Sequence, residues 1–106
     1  MTTTFDKREE GFEKKFAHDE ELRFKATARR NKMLGLWAAG ILGKSGPDAE
    51  AYGKEVVMAE FEKGGDEDVI RKVLNDLQPK GISEQQVRAQ MAELLTAAVE
   101  QIKKSG

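Results

Sequence analysis

Phe5, Phe12 and Phe16 lie along one side of an otherwise charged N-terminal segment, and they fall out of register with the apolar positions that follow. At about 100° of rotation per residue, spacings of seven and eleven place Phe12 and Phe16 each within about 20° of Phe5. A helix here carries one narrow apolar stripe among Asp6, Lys7, Arg8, Glu9, Glu10, Glu13, Lys14 and Lys15. The next apolar stripe runs through Leu22, Ala26, Met33 and Trp37, and Leu22 stands about 120° around the helix from Phe16. One straight helix does not bury both stripes against the same core. The constraint predicts a folded body, residues 19–106, and an N-terminal arm, residues 1–18, whose apolar face is kept for another protein.

Helix signals dominate the body. Asp19 is placed to cap a helix, with Glu20 and Glu21 in the first turn where the macrodipole favours acids. That helix is predicted to run to about Leu42 and stop at Gly43. Its second half, Met33 to Ala39, is apolar most of the way round, so Trp37 is expected at the centre of the core. Ser45-Gly46-Pro47-Asp48 opens a second helix, running from about Asp48 to Lys63 and offering Tyr52, Val56, Val57 and Phe61 inward. Gly64-Gly65 ends it, and Asp66-Glu67-Asp68 opens a third helix with Val69, Val73, Leu74 and Leu77. Ser83-Glu84-Gln85-Gln86 reads as a capping box for a fourth, whose stripe is Val87, Met91, Leu94, Leu95, Ala98 and Ile102. No stretch alternates with period two over strand length. The fold class expected is all-α: a compact four-helix bundle with a flexible N-terminal arm.

A chain of 106 residues holds one modest core. Its net charge of −1 gives no global attraction to nucleic acid or lipid. The charge is unevenly spread. Residues 20–44 carry six Lys/Arg against two Glu, and residues 45–78 carry nine acids against four bases. A basic first helix paired with acidic neighbours is the expectation. There is no cysteine, so disulfides and thiolate chemistry are excluded. No apolar run approaches the roughly 20 residues that span a bilayer, and a polar N-terminus is unlike a signal peptide. A cytoplasmic location is expected.

Few constellations carry chemistry. Ala38 to Ser45 fits a loosened phosphate-loop pattern, but such a loop needs a strand before it and a helix opening at the Lys-Ser, and here a helix precedes it. Gly43, Lys44 and Ser45 therefore read first as a helix end, with weak phosphate binding at Lys44 as the alternative. His18, the single histidine, lacks partners for zinc and titrates near physiological pH. The basic run Arg23, Lys25, Arg29, Arg30 and Lys32 spreads around its helix, so a solvated face pairing with acidic helices is favoured over nucleic-acid binding. Nothing assembles into an active site, and no metal site or required cofactor is expected.

Lys15-Phe16-Ala17-His18-Asp19-Glu20-Glu21-Leu22-Arg23-Phe24-Lys25, then Ala28-Arg29-Arg30-Asn31-Lys32 and Leu34-Gly35-Leu36-Trp37-Ala38-Ala39, closely resemble the zeta subunit family of alphaproteobacterial F-type ATP synthases. The resemblance continues through Tyr52, Lys54 to Val57 and Gly65 to Val69, and covers essentially the whole chain. It implies a small four-helix protein that inhibits ATP hydrolysis by the catalytic head. The inhibitory part would be the N-terminal region, flexible when free and helical when inserted at a catalytic alpha/beta interface near the gamma shaft. It would act as the mitochondrial ATPase inhibitor protein does, on an unrelated body. Phe5, Lys7, Arg8, Phe12, Lys14, Lys15 and Phe16 become the partner-binding residues on this reading. The resemblance also implies adenine-nucleotide binding, which directs attention back to Gly43, Lys44 and Ser45 as a weak ADP or ATP site. The partners implied are the alpha, beta and gamma subunits, with no nucleic acid, no direct membrane insertion and a monomer when free. The cytoplasmic chain would meet the membrane-bound enzyme through its head. Two rivals stand beside this reading: a nucleotide-sensing module carried by the helical body, and an adaptor or nucleic-acid binder using Arg23 to Lys32.

Overall fold

The structure is a computed structural model and describes residues 19–105. Phe5, Lys7, Arg8, Phe12, Lys14, Lys15, Phe16 and His18, with the arm–body division at residue 18, belong to the segment outside the described residues. Within them the chain forms four α-helices and no strand: α1 (Glu20–Ile41), α2 (Gly46–Ala59), α3 (Asp66–Leu77) and α4 (Glu84–Ser105), with a 3-10 turn (Gln78–Lys80) between the last two. The expected all-α bundle is what the sequence builds. α1 is its spine, packing most extensively on α2 and next on α4.

The helix ends follow local chemistry. Asp19 is extended, at φ −104° and ψ 102°, and its carboxylate accepts the Leu22 N–H at 3.1 Å. Ser83 and Gln86 form the reciprocal capping box. The Gln86 N–H donates to Ser83 Oγ at 3.2 Å, and the Ser83 N–H donates to Gln86 Oε1 at 2.8 Å. α1 stops where expected. Gly43 takes φ +79°, which a side chain would resist, and lets the Lys44 N–H reach back to the Ala39 carbonyl at 2.8 Å.

The main core joins Leu34, Ala38 and Ala39 of α1, Tyr52, Val56 and Ala59 of α2, Val69, Ile70, Val73 and Leu77 of α3, and Val87 and Met91 of α4. A second, smaller cluster pairs Ala26 with Ile102, flanked by Leu22 and Val99, and ties the start of α1 to the end of α4. Fully burying a Leu or Val is worth about 1.5–3 kcal/mol each. These side chains therefore supply the main drive for folding.

Three expectations about the core change. The line buried along α1 is Ala26, Arg30, Leu34 and Ala38, with Asn31 and Gly35 beside it, whereas Leu22, Met33 and Trp37 are half-buried. Trp37 packs on the rim of the core and not at its centre. In α2, Tyr52 and Val56 are buried, but the helix ends at Ala59 and Phe61 is exposed. The N–H groups of Glu60, Phe61 and Glu62 each bond three residues back, to Val57, Met58 and Ala59. That tightening turns Phe61 off the core-facing line. Leu95 of α4 is likewise exposed, being one residue out of step with the Val87–Met91–Leu94–Ala98–Ile102 line.

α1 and α2 meet at backbone distance. A Cβ on Gly35 would lie 2.6 Å from Gly53 Cα, so glycine is required there by space alone. Gly35→Ala should destabilise the fold by about 1–3 kcal/mol through overpacking. Gly40→Ala, in the same helix with nothing within 4 Å of the new Cβ, should stabilise it by about 0.5–1 kcal/mol. Chemical denaturation of the two variants checks the contrast.

Candidate functional site

The first three turns of α1, the end of α2 and the turn into α3 meet at one corner. One side of this stretch of α1 is anchored by Leu22 and Ala26 on Val99 and Ile102. The opposite side carries Phe24, which is 57% exposed and lies against Phe61, ring centroids 5.8 Å apart and tilted by 41°. Lys25 pairs with Glu21 at 3.5 Å on the solvent side.

Beneath this corner lies a polar cluster. Arg30 is only 4% exposed. Its Nε and Nη2 donate to Asn31 Oδ1 at 3.1 and 2.9 Å. Nη2 also donates to Glu60 Oε1 at 3.1 Å and to Asp66 Oδ1 at 2.7 Å, and Nη1 donates to Asp66 Oδ2 at 3.4 Å. Asn31, fully buried, donates its amide to Glu60 Oε1 at 2.8 Å. α1 is thereby tied to the C-cap of α2 and the first residue of α3. Burial raises the Glu60 carboxyl above its ordinary value, opposed by the Asn31 hydrogen bond. The Arg30 hydrogen bond lowers that of Asp66. Two acids share one cation, and their environments push them apart.

The basic run thus divides. Arg30, read from the sequence as part of a solvated face, is internal, and Lys32 reaches Glu50 at 3.6 Å. Pairing of basic α1 with acidic neighbours is real at both positions. Hydropathy hides Arg30 because arginine is almost never fully buried unless paired. The acids that pair with it lie about 30 and 36 residues away in sequence.

Gly43, Lys44 and Ser45 are exposed at the α1–α2 junction. The Gly43 N–H already donates to Gly40 O at 3.2 Å and that of Lys44 to Ala39 O. Two of the backbone donors that a phosphate cradle requires are thus turned into α1. The Lys44 side chain and the first turn of α2 are what this junction presents to solvent. Two shallow clefts lie elsewhere: about 400 Å³ around Lys54, Met58 and Lys72, and about 270 Å³ around Arg30, Ile70, Arg88 and Leu95. On the α2–α3 side, Tyr52 donates to Asp76 at 2.7 Å, and burial with that bond holds its phenol well above the usual range. Among the described residues no group of three or more His, Asp or Glu side chains is placed to hold a metal ion, and no helix is long and apolar enough to cross a membrane.

Among protein families, the one described as ATPase inhibitor subunit zeta matches residues 1–101. A solved structure, determined by solution NMR, is 52% identical, covers 80% of this chain and 99% of its own, and superposes with a TM-score of 0.72. No curated protein matches the chain.

The Arg30 cluster has a testable pH signature. Glu60, raised in the fold, favours the folded state below its unfolded value of about 4.5, and that contribution fades as pH rises through its folded value. Asp66, lowered in the fold, contributes above about 3.8 and is lost only as pH falls further. Glu60→Gln keeps an acceptor for Arg30 and Asn31, so at pH 7 it should melt within about 1 kcal/mol of the parent. It should also lose the stability slope above pH 4.5. Arg30→Ala, which strands Asn31, Glu60 and Asp66, should cost about 3–5 kcal/mol. Thermal melts from pH 3 to 8 measure both.

Proposed function

The chain belongs to the ATPase inhibitor subunit zeta family, and from that premise we propose that it blocks ATP hydrolysis by inserting its N-terminal segment, as a helix, into a catalytic alpha/beta interface of the F-type ATP synthase head. An inhibitory role towards ATP synthase follows from the family itself. The route of inhibition is supported by one observation above all: the family match begins at residue 1 and so takes in the phenylalanine-bearing segment together with the bundle.

Sequence chemistry gives the segment the parts of a wedge. Phe5, Phe12 and Phe16 lie on one helical face and would each contribute about 1.5–3 kcal/mol on burial in a cleft. Ordering the segment offsets part of this. Lys7, Arg8, Lys14 and Lys15 flank the stripe and set register and encounter rate. The catalytic interface opens and closes as the gamma shaft turns, so a helix that binds one conformation more tightly than the next holds the cycle there. The bundle remains outside and keeps the wedge at high effective concentration.

Deleting residues 1–17 should abolish inhibition of ATP hydrolysis by the purified head while leaving the helical melt within about 1 kcal/mol of the full chain. Retained inhibition would assign the activity to the bundle. Phe12→Ala should raise the inhibition constant about tenfold, mainly through faster release. Glu10→Ala lies about 160° away on the same helix and should change it little. A charge-driven contact predicts the opposite ranking, with Lys14→Ala and Lys15→Ala dominant and inhibition fading steeply with salt.

A further inference from the structure

Two of the most exposed large apolar side chains among the described residues meet at one corner, Phe24 at 57% and Phe61 at 60%, and a third, Met58 at 64%, stands on the same stretch of chain as Phe61. Phe24 and Phe61 touch, and Met58 lies one turn before Phe61, whose N–H bonds to the Met58 carbonyl at 3.1 Å. The surface is not loose. Phe24 is presented by a turn of α1 whose other side is fixed on α4 by Leu22 and Ala26. Phe61 follows Glu60, which is held by Arg30 and Asn31. A rigidly displayed aromatic–methionine patch calls for an occupant.

We infer that this patch is the resting berth of the chain's own N-terminal segment, which lays Phe16 and Phe12 on Phe24, Met58 and Phe61 when the protein is free. The chain leaves α1 at Asp19, which is extended and not helical. Phe24 lies five residues into α1, about 7.5 Å along its axis. Three residues of chain, from Asp19 back to Phe16, span up to about 10 Å, and seven, back to Phe12, up to about 24 Å. The first ring reaches Phe24 and the second reaches the Met58–Phe61 end. The rim is of mixed charge, with Glu21, Lys25 and Glu62 exposed, and it suits a segment whose own flanks are Glu13, Lys14 and Lys15. Tethering favours this occupant over a second copy. A segment joined by a few residues acts at an effective concentration in the millimolar range, well above that of the free protein.

The contact lies within the isolated chain. Its regulatory consequence rests on the wedge reading: a berth that holds the same phenylalanines competes with the catalytic cleft and lowers apparent potency by the fraction berthed.

The test uses the full chain labelled with carbon-13 at the methionine methyls. Met58, exposed one helical turn before Phe61, is the reporter beside the patch, and buried Met91 serves as the internal control. Phe12→Ala combined with Phe16→Ala should shift the Met58 methyl resonance through loss of ring current and leave Met91 in place. The parent spectrum should not change from about 20 μM to 1 mM, as expected of a tethered contact. An unmoved Met58 signal overturns the berth. A concentration-dependent one assigns the patch to a second copy and overturns it equally. Phe61→Ser should then strengthen inhibition of the catalytic head about threefold by freeing the segment, with Phe24→Ser as a second route if the first variant melts early. Weaker inhibition by these folded variants would place the patch against the target and overturn the proposal. If the parent chain does not inhibit at all, the wedge reading fails while the Met58 result still decides the berth.

Discussion

A guanidinium has been taken out of water where three helices of this small bundle meet, and their arrangement follows from keeping it satisfied. Removing such an ion from solvent costs several kcal/mol, and the cost is recovered only with near-complete hydrogen bonding. Arg30 makes five hydrogen bonds, to Asn31, Glu60 and Asp66. Among the described residues no buried side-chain nitrogen or oxygen is left without a partner. Apolar packing would tolerate several rotations of α1 against its neighbours. The arginine tolerates one, because its acceptors come from the end of α2 and the start of α3. The cluster contributes less to net stability than to the uniqueness of the packing.

The same cluster explains what the sequence concealed. Caps, glycine stops and acidic first turns located all four helices, since each signal is local and acts on the residues beside it. Asp19, Gly43 and the Ser83–Gln86 box behave as their chemistry requires. The rotation of α1 was not legible in the same way. A hydropathy pattern ranks Leu22, Met33 and Trp37 above Arg30 and Asn31, yet the polar pair lies inside and the three apolar side chains lie at the rim. Only the distant acids reverse the ranking, and no local window contains both. Phe61 was misplaced for a related reason, because the Glu60 contacts and a run of three-residue hydrogen bonds end α2 early.

The segment before Asp19 stands differently. Phe5, Phe12 and Phe16 were read as a separate stripe because they fall out of register with the apolar positions that follow. The structure adds the setting of their attachment. Asp19 ends α1 with an extended residue, and the turns that follow it are pinned on one side and apolar on the other. Membership of the ATPase inhibitor subunit zeta family gives this asymmetry its meaning. The nucleotide expectation at Gly43 to Ser45 had a weaker basis, since the pattern occurs at a helix exit where two N–H groups face inward.

The glycine contact between α1 and α2 makes the pair a fulcrum. With no side chain between Gly35 and Gly53, there is nothing compressible at the crossing, so the helices can rock about that point more readily than they can separate. Phe24 lies eleven residues from the pivot, about 16 Å along the helix. Rocking by about 5° would therefore carry it sideways by more than an ångström. The Arg30 cluster lies between pivot and tip and acts as the brake. Loosening it would move the exposed tip of α1 before it changed whether the bundle is folded.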